Sequence, residues 1–248
     1  MNLVKTPEEI KILRQGGNIL AEVMREIMAV TQPGISTGEL DQLARKLIAK
    51  AGARPSFLNY RGYPASICIS VNDEVVHGIP RSDKILQLGD IVGLDLGLEY
   101  QGLFTDMART VGVGKISDKA QRLIEVARDS LKCGLRKVKH GAKVGDIGSV
   151  IQKHIEGQGF SVVRDLVGHG VGYAVHEEPQ IPNFGVPGSG MRLEMGMILA
   201  IEPMVNEGTF RVKTLDDDWT VVTVDSKLSA HWEDTIVVTE NGYEILTS

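Results

Sequence analysis

At 248 residues the chain is long enough for one large domain or two small ones around a substantial core, and its 42% hydrophobic and 24% charged fractions are those of a globular protein rather than a disordered one. No apolar run approaches the ~18 residues of a membrane span, and a formal net charge of -5 gives no polyanion-binding signature, so neither a membrane nor DNA is expected as a partner. Two isolated cysteines, Cys68 and Cys133, and a start (Met1-Asn2-Leu3-Val4-Lys5) without a secretory core fit a reducing, cytoplasmic setting.

Taken in chain order, Pro7-Glu8-Glu9 opens a helix with apolar residues at Ile10, Leu13, Leu20, Val23, Met24 and Ile27, closed by Pro33-Gly34. Ser36-Thr37 begin a second helix running to about Ala51. Strands are predicted over 67–71, 91–98 and 107–113. Ser117 caps a third helix carrying Leu123, Ile124, Val126, Leu131 and Leu135, and a fourth spans Gly145 to about Gly157. Further strands are predicted over 198–205, 221–224 and 235–239.

The 28 glycines, unusual beside 5% aromatics, recur with a period. Gly34-Ile-Ser-Thr-Gly38-Glu39-Leu40 reappears as Gly141-Ala-Lys-Val-Gly145-Asp146-Ile147, and Gly89-Asp-Ile-Val-Gly-Leu-Asp95 as Gly196-Met-Ile-Leu-Ala-Ile-Glu202, both at an offset of 107. Helices followed by strands, twice, predict an α+β fold: two pseudo-symmetric halves with helices packed on a curved, mainly antiparallel β-sheet. With no Pro/Ser linker between them, residues 1–248 read as one domain with an internal repeat of roughly 5–113 and 117–248.

The segment 90–98 alternates a greasy face (Val92, Leu94, Leu96, Leu98) with a small one carrying Asp95. A turn at Tyr100-Gln101 would set Asp95 directly across from Asp106, too close for both to ionise without a cation or a shared proton. The repeat supplies Glu202 at the place of Asp95, and Glu233 as its follower. Four converging buried carboxylates need about two divalent metals. Histidine is the remaining ligand type, and the candidates are His169, between Gly168 and Gly170, His176 seven residues on, and His77 before Gly78. His231 lies two residues before Glu233 and so on its strand face. One imidazole among oxygens suits a dinuclear Mn, Fe or Co hydrolytic centre rather than a cysteine-ligated zinc, and no G-x-S-x-G elbow supports serine chemistry.

These residues resemble the type I methionine aminopeptidases of the bacterial short form, within the pita-bread metallopeptidases. The motifs are Asn59-Tyr60-Arg61-Gly62-Tyr63-Pro64, Asn72 through His77-Gly78-Ile79-Pro80, Thr105-Asp106, Gly168-His169-Gly170-Val171-Gly172 through His176-Glu177-Glu178-Pro179, Ile201-Glu202-Pro203-Met204 and Trp232-Glu233-Asp234-Thr235. The resemblance implies metal ligands Asp95, Asp106, His169, Glu202 and Glu233, with Asp106 and Glu233 bridging two divalent ions, Co, Mn, Fe, Zn or Ni. It implies proton shuttling by Glu202, oxyanion stabilisation by His176, and a hydrogen bond from His77 to the scissile amide. It also implies a methionine pocket from Tyr60, Tyr63, Cys68 and Trp219, with Phe57 and Val175 nearby. The expected activity is removal of the initiator methionine from nascent polypeptides with a small second residue, by a cytoplasmic monomer in transient contact with ribosomes. The basic residues Lys132, Arg136, Lys137, Lys139 and Lys143 read as a solvated face rather than a docking site.

The chain departs from the family pattern at His231 and Asp234, around the last ligand, and at Tyr173 and Val175 on the pocket rim. A titratable His231 would shift the pH profile, so His231→Gln is expected to move it. The rival readings are an X-Pro aminopeptidase or prolidase, which carries an added N-terminal domain that the early Asp95 motif leaves no room for, and a non-catalytic pita-bread binding module, which would not retain buried carboxylates.

Overall fold

The structure is a computed structural model and describes residues 3–248. Helix α1 (Pro7–Val30) starts at a capping box: Thr6 Oγ1 accepts the Glu9 amide and the Glu9 carboxylate accepts the Thr6 amide, with Pro7 at the first helical position. Helix α2 (Thr37–Lys50) uses the same device with Ser36 and Glu39. Then follow β1 (Arg54–Pro55), a 3-10 turn at Tyr60–Gly62, β2 (Cys68–Val71), β3 (Glu74–Val76) and the long hairpin of β4 (Ile91–Tyr100) and β5 (Leu103–Gly112). Helices α3 (Asp118–Leu135) and α4 (Val144–Gly157) come next. The remaining strands are β6 (Ser161–Val162), β7 (Gly168–Gly170), β8 (Glu177–Ile181), β9 (Ile198–Ile201), β10 (Met204–Asn206), β11 (Val212–Thr214), β12 (Val221–Thr223), β13 (Ser229–His231), β14 (Glu233–Val238) and β15 (Tyr243–Ile245).

Among the described residues, nine strands form one antiparallel sheet in the order β1-β4-β5-β14-β9-β7-β8, with β2 also on β4 and β15 on β14. Two three-stranded sheets, β13-β10-β6 and β11-β12-β3, flank it. Each helix pair builds its own core on the large sheet. Leu20, Met24 and Ile27 of α1 with Leu40 and Ile48 of α2 meet Ile69, Leu94, Leu96 and Met107. Leu123 and Leu131 of α3 with Ile147 and Ile151 of α4 meet Leu199, Ile201 and Ile236. The halves repeat individual contacts at the sequence offset: Gly34 and Gly141 donate their amides at 2.9 Å to the carbonyls of Leu86 and Leu193, and the bridge Ser36 to Ile85 recurs as Lys143 to Arg192. The expected α+β architecture of two related halves on an antiparallel sheet is the one observed.

Three expectations are corrected. Tyr100 pairs with Leu103, so the hairpin turns through Gln101 and Gly102, both at positive φ (51° and 85°), a two-residue turn that matches strand twist. Asp95 therefore lies opposite Ala108, and Asp106 opposite Gly97. A slip of two residues keeps both acids on one face, which a slip of one would not. The run 198–205 is two strands in different sheets, broken at Glu202-Pro203, where proline removes a ladder donor. His231 is likewise not on the strand of Glu233: β13 ends there, Trp232 intervenes, and His231 pairs with Met204 of the smaller sheet.

Candidate active site and metal centre

The face of the large sheet away from the helices is lined by small residues and acids. Ala108 on β5 lies opposite Asp95 on β4 and opposite Glu233 on β14, so these three form a row across the sheet, and Asp106, two residues along β5, shares the face. His169, on β7, pairs with Ala200 on β9, two residues before Glu202. The glycines flanking His169 are steric requirements: a Cβ on Gly168 would fall 2.5 Å from the Ala200 carbonyl oxygen, and one on Gly170 2.1 Å from that of Glu178. The expected metal ligands Asp95, Asp106, His169, Glu202 and Glu233, the histidines His77 and His176, and Tyr60, Tyr63, Cys68 and Trp219 with Phe57 line one cavity of about 290 Å³, whereas Tyr173, Val175, His231 and Asp234 do not line it.

The ligand atoms of Asp106, His169 and Glu233 lie within 4.8 Å of one another, all three residues being buried. His169 directs Nδ1 to the Gly170 carbonyl at 2.9 Å and Nε2 towards Glu202 Oε1 at 3.5 Å, while the other Glu202 oxygen lies 3.2 Å from His231 Nε2. Burial, then the charges of Asp106 and Glu202, pushes Asp95 well above the usual carboxylate range. Burial and the Glu202 charge carry Asp106 up to about 8, burial carries Glu202 up to about 8, and burial followed by Asp106 raises Glu233. Burial holds the imidazoles of His169 and His231 down at about 3 and that of His77 at about 4, so all are neutral lone-pair bearers.

These residues fit divalent cations. Asp95 Oδ1, Asp106 Oδ1 and Glu233 Oε1 are buried without a hydrogen-bond partner, which is costly for a carboxylate unless a cation meets it. Four carboxylates with one neutral imidazole are a hard, oxygen-rich donor set.

Residues invisible as site residues in the sequence hold the ligands in place. Arg109 donates to the Glu233 carbonyl and to the Asp234 carboxylate, with its guanidinium 5.1 Å above the Trp232 ring. Thr110 Oγ1 donates to the His231 carbonyl (2.8 Å) and accepts its amide (2.9 Å). Asp234, unusual for the family, is thus the partner of Arg109 and also accepts from Thr247 at 3.1 Å. Of these, the sequence had marked only Asp234, as a departure from the family pattern; Arg109 and Thr110 carried no signal beyond their proximity to Asp106. Of the remaining histidines, His140 accepts the Met195 amide at 3.2 Å and His154 sits on α4, neither lining the cavity.

In the apolar end, Tyr63 is buried and donates its hydroxyl to the Gly78 carbonyl at 2.9 Å, with its ring edge-on to Trp219 at 5.1 Å. Cys68 lies opposite Asp95, and burial pushes its thiol up, so it is neutral. Tyr60 Oη and His176 Nδ1 are 2.9 Å apart, and the His176 and His169 rings are 4.3 Å apart.

Residues 11–240 match the metallopeptidase family M24. The chain belongs to that family. It is 52% identical over 247 residues to "Methionine aminopeptidase 1" of Bacillus subtilis, covering 100% of this chain and 99% of that one. The crystal structure of a methionine aminopeptidase from Thermotoga maritima superposes with a TM-score of 0.97 at 46% identity, covering 99% and 98% of the two chains. The prolidase of Pyrococcus furiosus shares the fold at a TM-score of 0.81 and 25% identity, but this chain spans only 65% of it. The chain is thus a metal-dependent peptidase.

Proposed function

We propose that this M24 peptidase removes N-terminal methionine from peptides and nascent polypeptides whose second residue is small. The observation that carries the reading is the junction, in one cavity, of the buried unpartnered carboxylates with a pocket of Tyr63, Trp219 and Cys68. A thioether packs favourably on aromatic edges, and the pocket is closed by Phe57, with Val175 in the same apolar cluster, which suits one unbranched apolar side chain.

Asp95, Asp106, His169, Glu202 and Glu233 are the residues that would hold two divalent cations, with Mn, Fe and Co best matched to their oxygens. When bound, such ions lower the pKa of a water, polarise a carbonyl and receive a substrate amine. Glu202 accepts the proton of the attacking water on an oxygen and returns it to the leaving amine. His176 is oriented by Tyr60 through Nδ1, which leaves Nε2 to donate to the developing oxyanion. His77, held neutral by burial and set at φ 59°, offers its ring to the scissile amide from beside Trp219. Tyr63 and Trp219 exclude water from the methionine subsite.

Residues 1–248 are read as one catalytic domain acting as a monomer in the cytoplasm, with ribosome contact only transient. Among the described residues no helix is long and apolar enough to cross a membrane. The test is release of methionine from Met-Ala-Ser-type peptides with added Mn, Co or Fe, beside X-Pro peptides of equal length. Methionine release abolished by Asp106→Ala supports the reading. Preference for X-Pro peptides would transfer the chain to the prolidase-like activity, and inertness with every metal would leave a binding module.

A further inference from the structure

The segment before α1 enters the molecule beneath the active-site loop. Lys5 is fixed by its own backbone, its amide donating to the Gly196 carbonyl at 2.9 Å. Its side chain, 1% exposed, runs along Gly172, where a Cβ would fall 2.5 Å from Lys5 Cε, and ends 2.7 Å from Glu177 Oε2. The Glu177 side chain is 2% exposed. An ion pair this dry is retained only where geometry and further hydrogen bonds complete it. Here they do: Glu177 Oε1 accepts the amides of Tyr173 and Ala174, and the Lys5 ammonium lies 3.9 Å from the Tyr173 ring centroid. The Tyr173 hydroxyl reaches both oxygens of Glu9, the capping residue of α1, at 2.9 and 3.0 Å.

The turn so held, 172–175, joins His169 to His176. From Val175 to Ile181 burial alternates strictly, with Val175, Glu177, Pro179 and Ile181 inward and His176, Glu178 and Gln180 outward. Residues 172–176 bend and β8 begins at Glu177, so anchoring the Glu177 carboxylate on the amides of Tyr173 and Ala174 holds the bend that carries His176. His176 lines the cavity, where it meets Tyr60.

We propose that Lys5 is a positioning residue for His176: its buried ion pair with Glu177, backed by the Tyr173 to Glu9 hydrogen bonds, sets the side-chain direction of His176 and ties the N-terminal segment to catalysis. The inference rests on the proposed oxyanion role of His176. It assigns a task to Tyr173, the departure from the family's frequent arginine, as the tyrosine whose ring covers the lysine and whose hydroxyl reaches α1.

The test compares Lys5→Met, Tyr173→Phe, His176→Ala and the Lys5→Met/His176→Ala double variant on a Met-Ala-Ser peptide at saturating Mn, at a temperature where circular dichroism shows each to be folded. Lys5→Met is expected to lower kcat about 10- to 100-fold with KM changed less than about threefold. The double variant is expected to be no slower than His176→Ala alone, because Lys5 acts only through His176. Should Lys5→Met not fold, Tyr173→Phe loosens the same turn without burying a lone charge and is expected to lower kcat several-fold, again masked by His176→Ala. Losses that multiply in the double variant, a folded Lys5→Met with unchanged kcat, or a Tyr173→Phe effect on KM alone overturn the proposal. A His176→Ala variant with full kcat instead overturns the role of His176 itself.

Discussion

Thr235 and Asp106 hold each other by two hydrogen bonds: the Asp106 amide donates to Thr235 Oγ1 at 2.9 Å, and that hydroxyl donates to the Asp106 carbonyl at 2.6 Å. The bonds extend the β5 to β14 pairing one step beyond its last backbone partners, Asp234 and Met107, and so fix the spacing of Asp106 from Glu233, both proposed ligands. Thr235→Val keeps the shape and removes both bonds, leaving a buried donor and acceptor. The expected cost is about 2–4 kcal/mol in thermal unfolding. Calorimetric titration with Mn should show affinity weakened about 10- to 100-fold, with Thr235→Ser close to the parent.

The metal-free protein should lose stability as pH rises from about 6.5 to 8. Asp106 and Glu202 have folded pKa values raised to about 8, so over that window the folded state holds protons that the unfolded state has released. Each group then contributes a slope of about -1.4 kcal/mol per pH unit to the unfolding free energy. Below 6.5 the depressed imidazoles of His77, His169 and His231 act with the opposite sign, since the unfolded chain binds protons there that the folded one does not. Below 6.5 the two opposed sets partly cancel; above it only the carboxylates remain, so the unfolding midpoint of chelator-treated protein should decline from about 6.5 to 8. Saturating Mn, which keeps the carboxylates ionised, should abolish the decline; a midpoint rising with pH over that window in the metal-free protein would contradict this account.

His231→Gln should leave the acidic limb of the pH profile where it is. The sequence argued for a shift, but burial, helped by the Arg109 charge, holds this imidazole at about 3, so it carries no charge change across the working range. Its role is geometric: Nε2 lies 3.2 Å from Glu202, on the side opposite His169. The measurable consequence is in metal dissociation, expected to change severalfold while the apparent acidic pKa stays within about 0.2 of the parent.

Trp219→Ala should separate binding from chemistry. The ring stands edge-on to Tyr63 and near His77, so its loss is expected to remove contact with the side chain of the proposed methionine substrate. KM for Met-Ala-Ser peptides is expected to rise about tenfold or more, with kcat reduced less, in steady-state assays over the two-metal saturation range.

The four helices and the alternating 91–98 strand were legible in the sequence because each rests on a local pattern, helical spacing or a period of two, and glycines marked His169; the apolar residues of the cavity came from the family resemblance alone. What was not legible depends on distance along the chain or on one residue's backbone. The Asp95 to Asp106 register was misread because Gln101 shares the positive φ with Gly102, and hydrophobic continuity hid the break at Glu202-Pro203. Arg109 and Lys5 resembled ordinary surface cations; only their partners, 125 and 172 positions away, show otherwise.

The carboxylates converge from Asp95 and Asp106 in one half and Glu202 and Glu233 in the other. During synthesis, then, the proposed centre has no complete form until Glu233 has been made. An early half offers two acids that repel each other and no cage to relieve them. Under the proposed ligand set, full cation uptake is therefore expected to report that both halves have come together, and a chain interrupted before Glu233 to fall short of a full complement however abundant the ion.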